Sequence, residues 1–542
     1  MKNSASESGL YIIESDEDVE KDMQKDENDG NDSDYSNDSN GNLSMRKPSN
    51  YSIAWPQSYR QSIDLYGSVP SPNIGFLGTT SLSRLSSSFI SSSLTRRHTL
   101  EVLQPEKKPL LQPTEEEQPR HTLLPPQISR KSSIKISKVS HEPHIPGQCT
   151  FGQAVLNGIN ALCGIGILST PYAAKEGGWI GLSILLLYAV FSFYTGLLLR
   201  YCLDSAPGLE TYPDIGQAAF GTTGRVIISI ILYMELYACC IEYIIVESDN
   251  LSTLFPNAHI SLGGVELNAH ILFAILTAVA LLPTVWLRDL RILSYISACG
   301  VIATILVVLC LFWVGLLDNA DIHTQGTTKT FNLATFPVAI GLYGYCYAGH
   351  AVFPNIYTAM ANRNQFPGVL LVCFAICTSM YCAVAIMGYT AFGKATLSQY
   401  TLNMPQHLVA TKIAVWTTVV NPFTKYALSL SPVAMCLEEL IPANSPNFFI
   451  YSKLIRTALV VSTLLVGLSV PFFGLVMSLT GSLLTMFVSL ILPAACFLSI
   501  RGGRITRFQV SICVTIIVVG IVSSCLGSYS ALSEIIQELF KS

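Results

Sequence analysis

The chain has 542 residues, 50% hydrophobic and 13% charged, with a formal net charge of −4 and a mean hydropathy of +0.44. Of its 68 Lys, Arg, Asp and Glu residues, 36 precede position 148, which leaves 32 for the remaining 394 residues. A water-facing surface needs roughly a quarter to a third charged residues, so a soluble enzyme, a nucleic-acid partner and a secreted scaffold are disfavoured, and a polar tail on a polytopic membrane protein remains.

Residues 1–147 read as a disordered cytosolic tail. Glu14 to Asp38 is acidic and rich in Asn and Ser, Ser71 to Thr95 is Ser-rich, and Arg96 to Lys138 is basic with many prolines. There is no apolar h-region at the start, so the first span is expected to do the targeting. Arg96–Thr99 and Arg130–Ser133 resemble basophilic kinase sites, and Glu106–Leu111 resembles an acidic dileucine signal read by sorting adaptors. Chance in a biased tail is the competing reading of each.

A helix needs roughly 20 apolar residues to cross a bilayer. Eleven stretches qualify: Phe151–Ala174, Trp179–Leu199, Val226–Val246, Ala269–Leu287, Ile292–Leu317, Leu333–Ile356, Gly368–Phe392, Leu408–Leu437, Leu454–Val470, Phe472–Ile500 and Phe508–Leu532. Pro471 and Gly474 are expected to separate the ninth from the tenth. With a cytosolic tail, ten Lys or Arg fall in cytosolic loops and five on the other side (Lys175, Lys329, Lys394, Lys412 and Lys541). This bias predicts a cytosolic N-terminus and a lumenal C-terminus. All 15 Cys lie at or after Cys149, without zinc-type spacing, so neither metal nor disulfide framework is expected.

Two spans carry residues that interrupt a helix. The first contains Asn160, Cys163, Gly164, Gly166 and Pro171, and the sixth contains Gly344, Tyr345, Gly349, His350 and Pro354. In each, a glycine precedes a proline by five positions. A small-residue packing face explains one such segment but poorly explains two, five spans apart. Five is odd, so a unit repeated after five spans is inverted in the membrane. Discontinuous helices in such repeats form a substrate site near the midplane. Amides of Gly164, Ile165 and Gly166 then suit a carboxylate, and carbonyls from Tyr345 to Gly349 suit an ammonium. The pair describes an α-amino acid, although a small carboxylate or amine would use the same parts.

Ionisable residues within the spans are functional candidates. Glu235 and Glu242 share one face of the third span, and Lys425 lies near the middle of the eighth. Glu242 and Lys425 are expected to couple protons, paired with each other, with Glu235 the lesser candidate. Structural pairing of Glu242 with a Tyr or Ser, and snorkelling of Lys425 to the interface, are the alternatives.

Gly164 through Trp179 resembles the signature of the amino acid/auxin permease family. Gly349–Pro354 and Asn421–Ala427 resemble its vacuolar and vesicular branch, and Trp55–Asp64 resembles that branch's plant vacuolar amino-acid transporters. The resemblance implies an all-α polytopic fold of eleven spans: a LeuT-like inverted five-span repeat plus one extra span. It also implies proton-coupled amino-acid transport at the vacuolar membrane. Carried over, Asn160, Cys163, Gly164 and Gly166 line the site and His350 borders it. The particular amino acid is not implied. No enzyme is expected, nor any cofactor beyond the proton as coupling ion; the partners are the amino acid, membrane lipid, and adaptors and kinases at the tail. Vacuolar loading by antiport leads, with export by symport and an amino-acid receptor as rivals.

Overall fold

The computed structural model describes residues 149–262, 265–287, 290–317, 327–442, 446–503 and 505–541, with only the backbone of 262, 265 and 290–299. The tail motifs, the glycosylation sequons at Asn31, Asn37, Asn42 and Asn50, and the loop residues Asp318 and Asp321 lie outside the described residues.

Each of the eleven apolar stretches falls on helix. Among the described residues, seven helices are long and apolar enough to cross a membrane: Ile165–Leu203, Tyr212–Leu254, Ala269–Trp286, Arg363–Ala395, Phe448–Ser469, Phe473–Arg501 and Arg507–Lys541. The first and sixth spans are shortened by breaks. The fifth, Leu290–Leu317, and the eighth, Val409–Glu438, are also long helices.

Local chemistry sets the boundaries. Thr150 caps the first helix, Phe151–Leu162, in a reciprocal box with Gln153. Gly178 turns the chain from the first span into the second at φ 69°, where a Cβ would meet the Thr330 carbonyl at 2.6 Å. The third helix begins at Tyr212, well before the expected Val226. Thr211 and Asp214 cap it, and it bends at Gly221 before entering the apolar run. Helix stops at Ser469 and resumes at Phe473, placing Pro471 in the interruption. One departure from an all-helical chain is a short hairpin, Ile260–Leu262 with Val265–Leu267, paired antiparallel between the third and fourth spans. Its alternating Ile, Leu and Val residues are too few to register as a strand pattern beside long apolar runs.

Packing partners repeat with a shift of five spans. The first packs on the seventh, and the sixth on the second; the fifth packs on the eighth, and the tenth on the third. Third with fourth is matched by eighth with ninth, and fourth with eighth by ninth with third. That periodicity is what two copies of one five-span unit produce. The outward faces carry Val190, Val279, Trp313 and Leu465 with more than half their surface exposed. Apolar surface of this extent needs lipid to cover it.

Candidate functional site

The two predicted breaks are present. The first span is helical to Leu162, opens at Cys163 and Gly164, and re-forms as a 3₁₀ turn over Ile165–Ser169 that leads into helix. The sixth is helical over Phe336–Tyr345 and again over Phe353–Ala359, with turns between. A short parallel bridge joins them: the Cys149 amide donates to Ala359 O at 3.1 Å, and Ala361 donates back at 3.0 Å. A Cβ on Gly349 would lie 2.9 Å from Leu162, so the two interruptions also sit side by side.

Opening a helix frees backbone groups that need partners. At the first break Lys425 Nζ donates to Cys163 O at 2.9 Å and to Asn160 O at 3.4 Å. Tyr381 donates its hydroxyl to Leu162 O at 2.6 Å. Gly164 spends its own amide on that same carbonyl at 2.9 Å. Of the three amides expected to receive a carboxylate, those of Ile165 and Gly166 therefore head the turn. At the second break the carbonyls of Tyr345, Tyr347 and Gly349 are taken by the amides of Ala348, Gly349 and Val352. Fewer carbonyls are thus free for an ammonium than the sequence suggested, because the segment coils locally.

A cavity of about 150 Å³ lies between the breaks and the third and eighth spans, the volume of an engineered cavity that holds benzene. Asn160, Gly164, Gly166 and Tyr345, expected at the substrate, line it together with Lys425, expected to couple protons. A Cβ on Gly164 would touch nothing within 4 Å, whereas one on Gly166 would lie 3.1 Å from the Tyr345 ring. The first glycine faces open space, and the second permits close packing.

The other predicted residues lie off the lining. Ile165 turns to a small neighbouring cavity shared with Thr304 and Asn421. Cys163 faces Cys377, with the sulfurs 3.3 Å apart. Gly349 makes room for Leu162 and Phe353. His350, fully buried, places Nε2 3.0 Å from both the Ser192 carbonyl and the Thr195 hydroxyl, so it ties the sixth span to the second instead of bordering the cavity. Glu242 is sealed, with neither oxygen hydrogen-bonded, and makes no ion pair with Lys425. The expected pairing gives way because two carbonyls at the break already hold the ammonium.

Glu242 was the leading candidate of the two carboxylates, and Glu235 is the one on the cavity wall. Glu235 lines the cavity and accepts a 2.8 Å bond from Thr485. Asn355, Cys239, Tyr243 and Ser429 also line it and were not singled out. Their sole sequence signal was a polar atom in an apolar run, which does not reveal which way a helix faces.

Residues 147–533 match the model of a family described as transmembrane amino acid transporter protein. Three Arabidopsis thaliana relatives named as amino acid transporters align over most of their length. AVT1C is 64% identical over 99% of this chain and 100% of its own, and AVT1B is 61% identical over the same shares. AVT1D is 50% identical over 90% of this chain and 87% of its own.

Proposed function

The chain belongs to the transmembrane amino acid transporter family, and on that premise we propose that it is a secondary active, proton-coupled transporter of neutral amino acids that loads the vacuole by antiport. The observation that carries the reading is the cavity at two adjacent helix breaks, with amides heading one half-helix and polar groups on the other walls. A carboxylate is favoured at such amides by the helix dipole and by donors that have no intrahelical partner. Gly164 and Gly166 let a ligand and the neighbouring helix approach the backbone there.

Transport instead of catalysis follows from the family. Eleven crossings, a cytosolic tail over 1–147 and a transporter domain over 148–535 complete the proposal, supported by the charge bias of the loops. The vacuolar location rests on the tail and signature resemblance. In that orientation the cavity extends from the breaks toward the cytosolic ends of the third, sixth and eighth spans, through Glu235, Asn355 and Pro432. Loading from the cytosol suits antiport. A gradient of two pH units stores about 2.7 kcal/mol per proton, enough to concentrate a zwitterion about a hundredfold at one-for-one exchange. Lys425 and Glu242 are the proposed coupling groups: one holds the break, and the other is a buried carboxylate able to carry a proton.

The test is counterflow in proteoliposomes containing the purified full chain, with an imposed pH gradient. Exchange of labelled amino acid driven by that gradient, without sodium, is expected. Binding without exchange would make the protein a receptor, and sodium-driven uptake would remove the proton.

A further inference from the structure

Two residues on the cavity lining carry an acceptor oxygen without a hydrogen bond among the described residues, and both lie away from the amides that suit the substrate carboxylate. Glu235 is 6% exposed; its Oε1 is held by Thr485, while Oε2 has no bond. Asn355 is 2% exposed, and its Oδ1 is buried without a bond. Glu235 and Asn355 both line the cavity, and Asn355 Oδ1 is as covered as the Glu242 oxygens, so Glu235 Oε2 is the atom offered to a ligand.

Their position along the cavity follows from contacts. Gly166 packs beneath the Tyr345 ring, and the Tyr345 hydroxyl lies 3.3 Å from the Cys239 thiol. Glu235 precedes Cys239 by four residues on the same helix, about 6 Å of further rise. Asn355 lies ten residues beyond Tyr345, in the second half of the sixth span. A substrate with its carboxylate at Ile165 and Gly166 therefore directs its side chain toward Glu235 and Asn355. Lys425, the other charged residue on the lining, is committed to Asn160 and Cys163 and forms no ion pair with Glu235.

We propose that Glu235, with Asn355, determines side-chain specificity: the cavity takes amino acids whose side chain ends in N–H donors, amide or cationic, and rejects those ending in a carboxylate. This rests on the transport reading and extends its neutral substrate class to cationic side chains. A donor-ended side chain gives Oε2 a charge-assisted hydrogen bond. An acidic one places a second carboxylate against Glu235 in a medium of low dielectric. An apolar side chain does neither and is tolerated.

The experiment is competition against labelled leucine exchange in proteoliposomes, with glutamine, arginine and glutamate as competitors, for wild type and Glu235→Gln. The variant keeps an acceptor for Thr485. In wild type, arginine and glutamine should compete better than glutamate by about tenfold or more, the scale of one hydrogen bond to a charged group. In Glu235→Gln the arginine advantage should collapse and glutamate should begin to compete, each measured relative to leucine in the same variant. Equal competition by glutamate and arginine in wild type overturns the proposal even if the variant does not fold. So does an equal loss for all substrates in a folded Glu235→Gln, which would place Glu235 at the α-ammonium or in the packing. If wild type exchanges no amino acid, the transport reading fails by itself. The same panel read by thermal stabilisation then decides the specificity.

Discussion

Lys425 was expected to offer its charge to a carboxylate, and instead donates to two carbonyls that the first break leaves without helical partners. Removing a donor from buried acceptors costs about 1–3 kcal/mol, more where the donor is charged. Lys425→Met should therefore reach the membrane yet lose about tenfold or more of its exchange activity, because the amides of Ile165 and Gly166 are no longer held in place. Counterflow at matched protein density checks it, and wild-type exchange would show that the break holds without the ammonium. The two glycines should separate. Gly164→Ala adds a methyl where nothing lies within 4 Å, so it should weaken substrate binding and leave melting temperature unaltered. Gly166→Leu meets the Tyr345 ring and should abolish transport through displaced packing, lowering melting temperature as well. Paired affinity and thermal-shift measurements distinguish these outcomes.

At the scale of helices, polar side chains fix how spans meet. His350 joins the sixth span to the second through Ser192 and Thr195. His350→Ala should destabilise the protein by about 1–3 kcal/mol with substrate affinity retained, as seen by thermal unfolding beside competition binding. A large affinity loss at unaltered stability would return His350 to the substrate site. The end of the eighth span is joined to the ninth by Arg456, whose Nε lies 2.7 Å from Glu438 Oε1, with Ser452 donating to the same oxygen at 2.6 Å. Breaking a buried pair from one side leaves an uncompensated charge, so Arg456→Ala should cost about 3–5 kcal/mol. Yield and melting temperature should both fall well below those of the His350 variant.

Across the whole molecule, orientation is the property with the widest consequence. The tail sequons at Asn31, Asn37, Asn42 and Asn50 should stay bare on a cytosolic segment, and sugar on any of them would invert every loop. Asn250, in the sequence Asn250–Ser252, should also stay bare for a different reason. Its side chain is fully buried, donating to Val246 O at 2.7 Å and Gln399 Oε1 at 2.6 Å and accepting from Thr401, so no folded chain presents it. Mass spectrometry of protein from a glycosylating host reads all five sites. Changing Leu110 and Leu111 to Ala should divert the protein toward the plasma membrane if adaptors read that pair, and fluorescence microscopy of the tagged chain would show it.

Hydropathy, loop charge and the two glycine-to-proline intervals determined the apolar stretches, both helix breaks and the transporter class, because each is a property of residues close together in the chain. The same linear information gave five lining residues, since Asn160, Gly164, Gly166 and Tyr345 sit at the breaks themselves and Lys425 is a charge in an apolar run. The choice between Glu235 and Glu242 was different. They share a helical face and a chemical type, and only the neighbours brought by the sixth and tenth spans separate an open carboxylate from a sealed one. His350 was decided likewise by Ser192 and Thr195, more than 150 positions away in sequence. Packing across such distances sets which atoms are left without partners, and those atoms are where a ligand can bind.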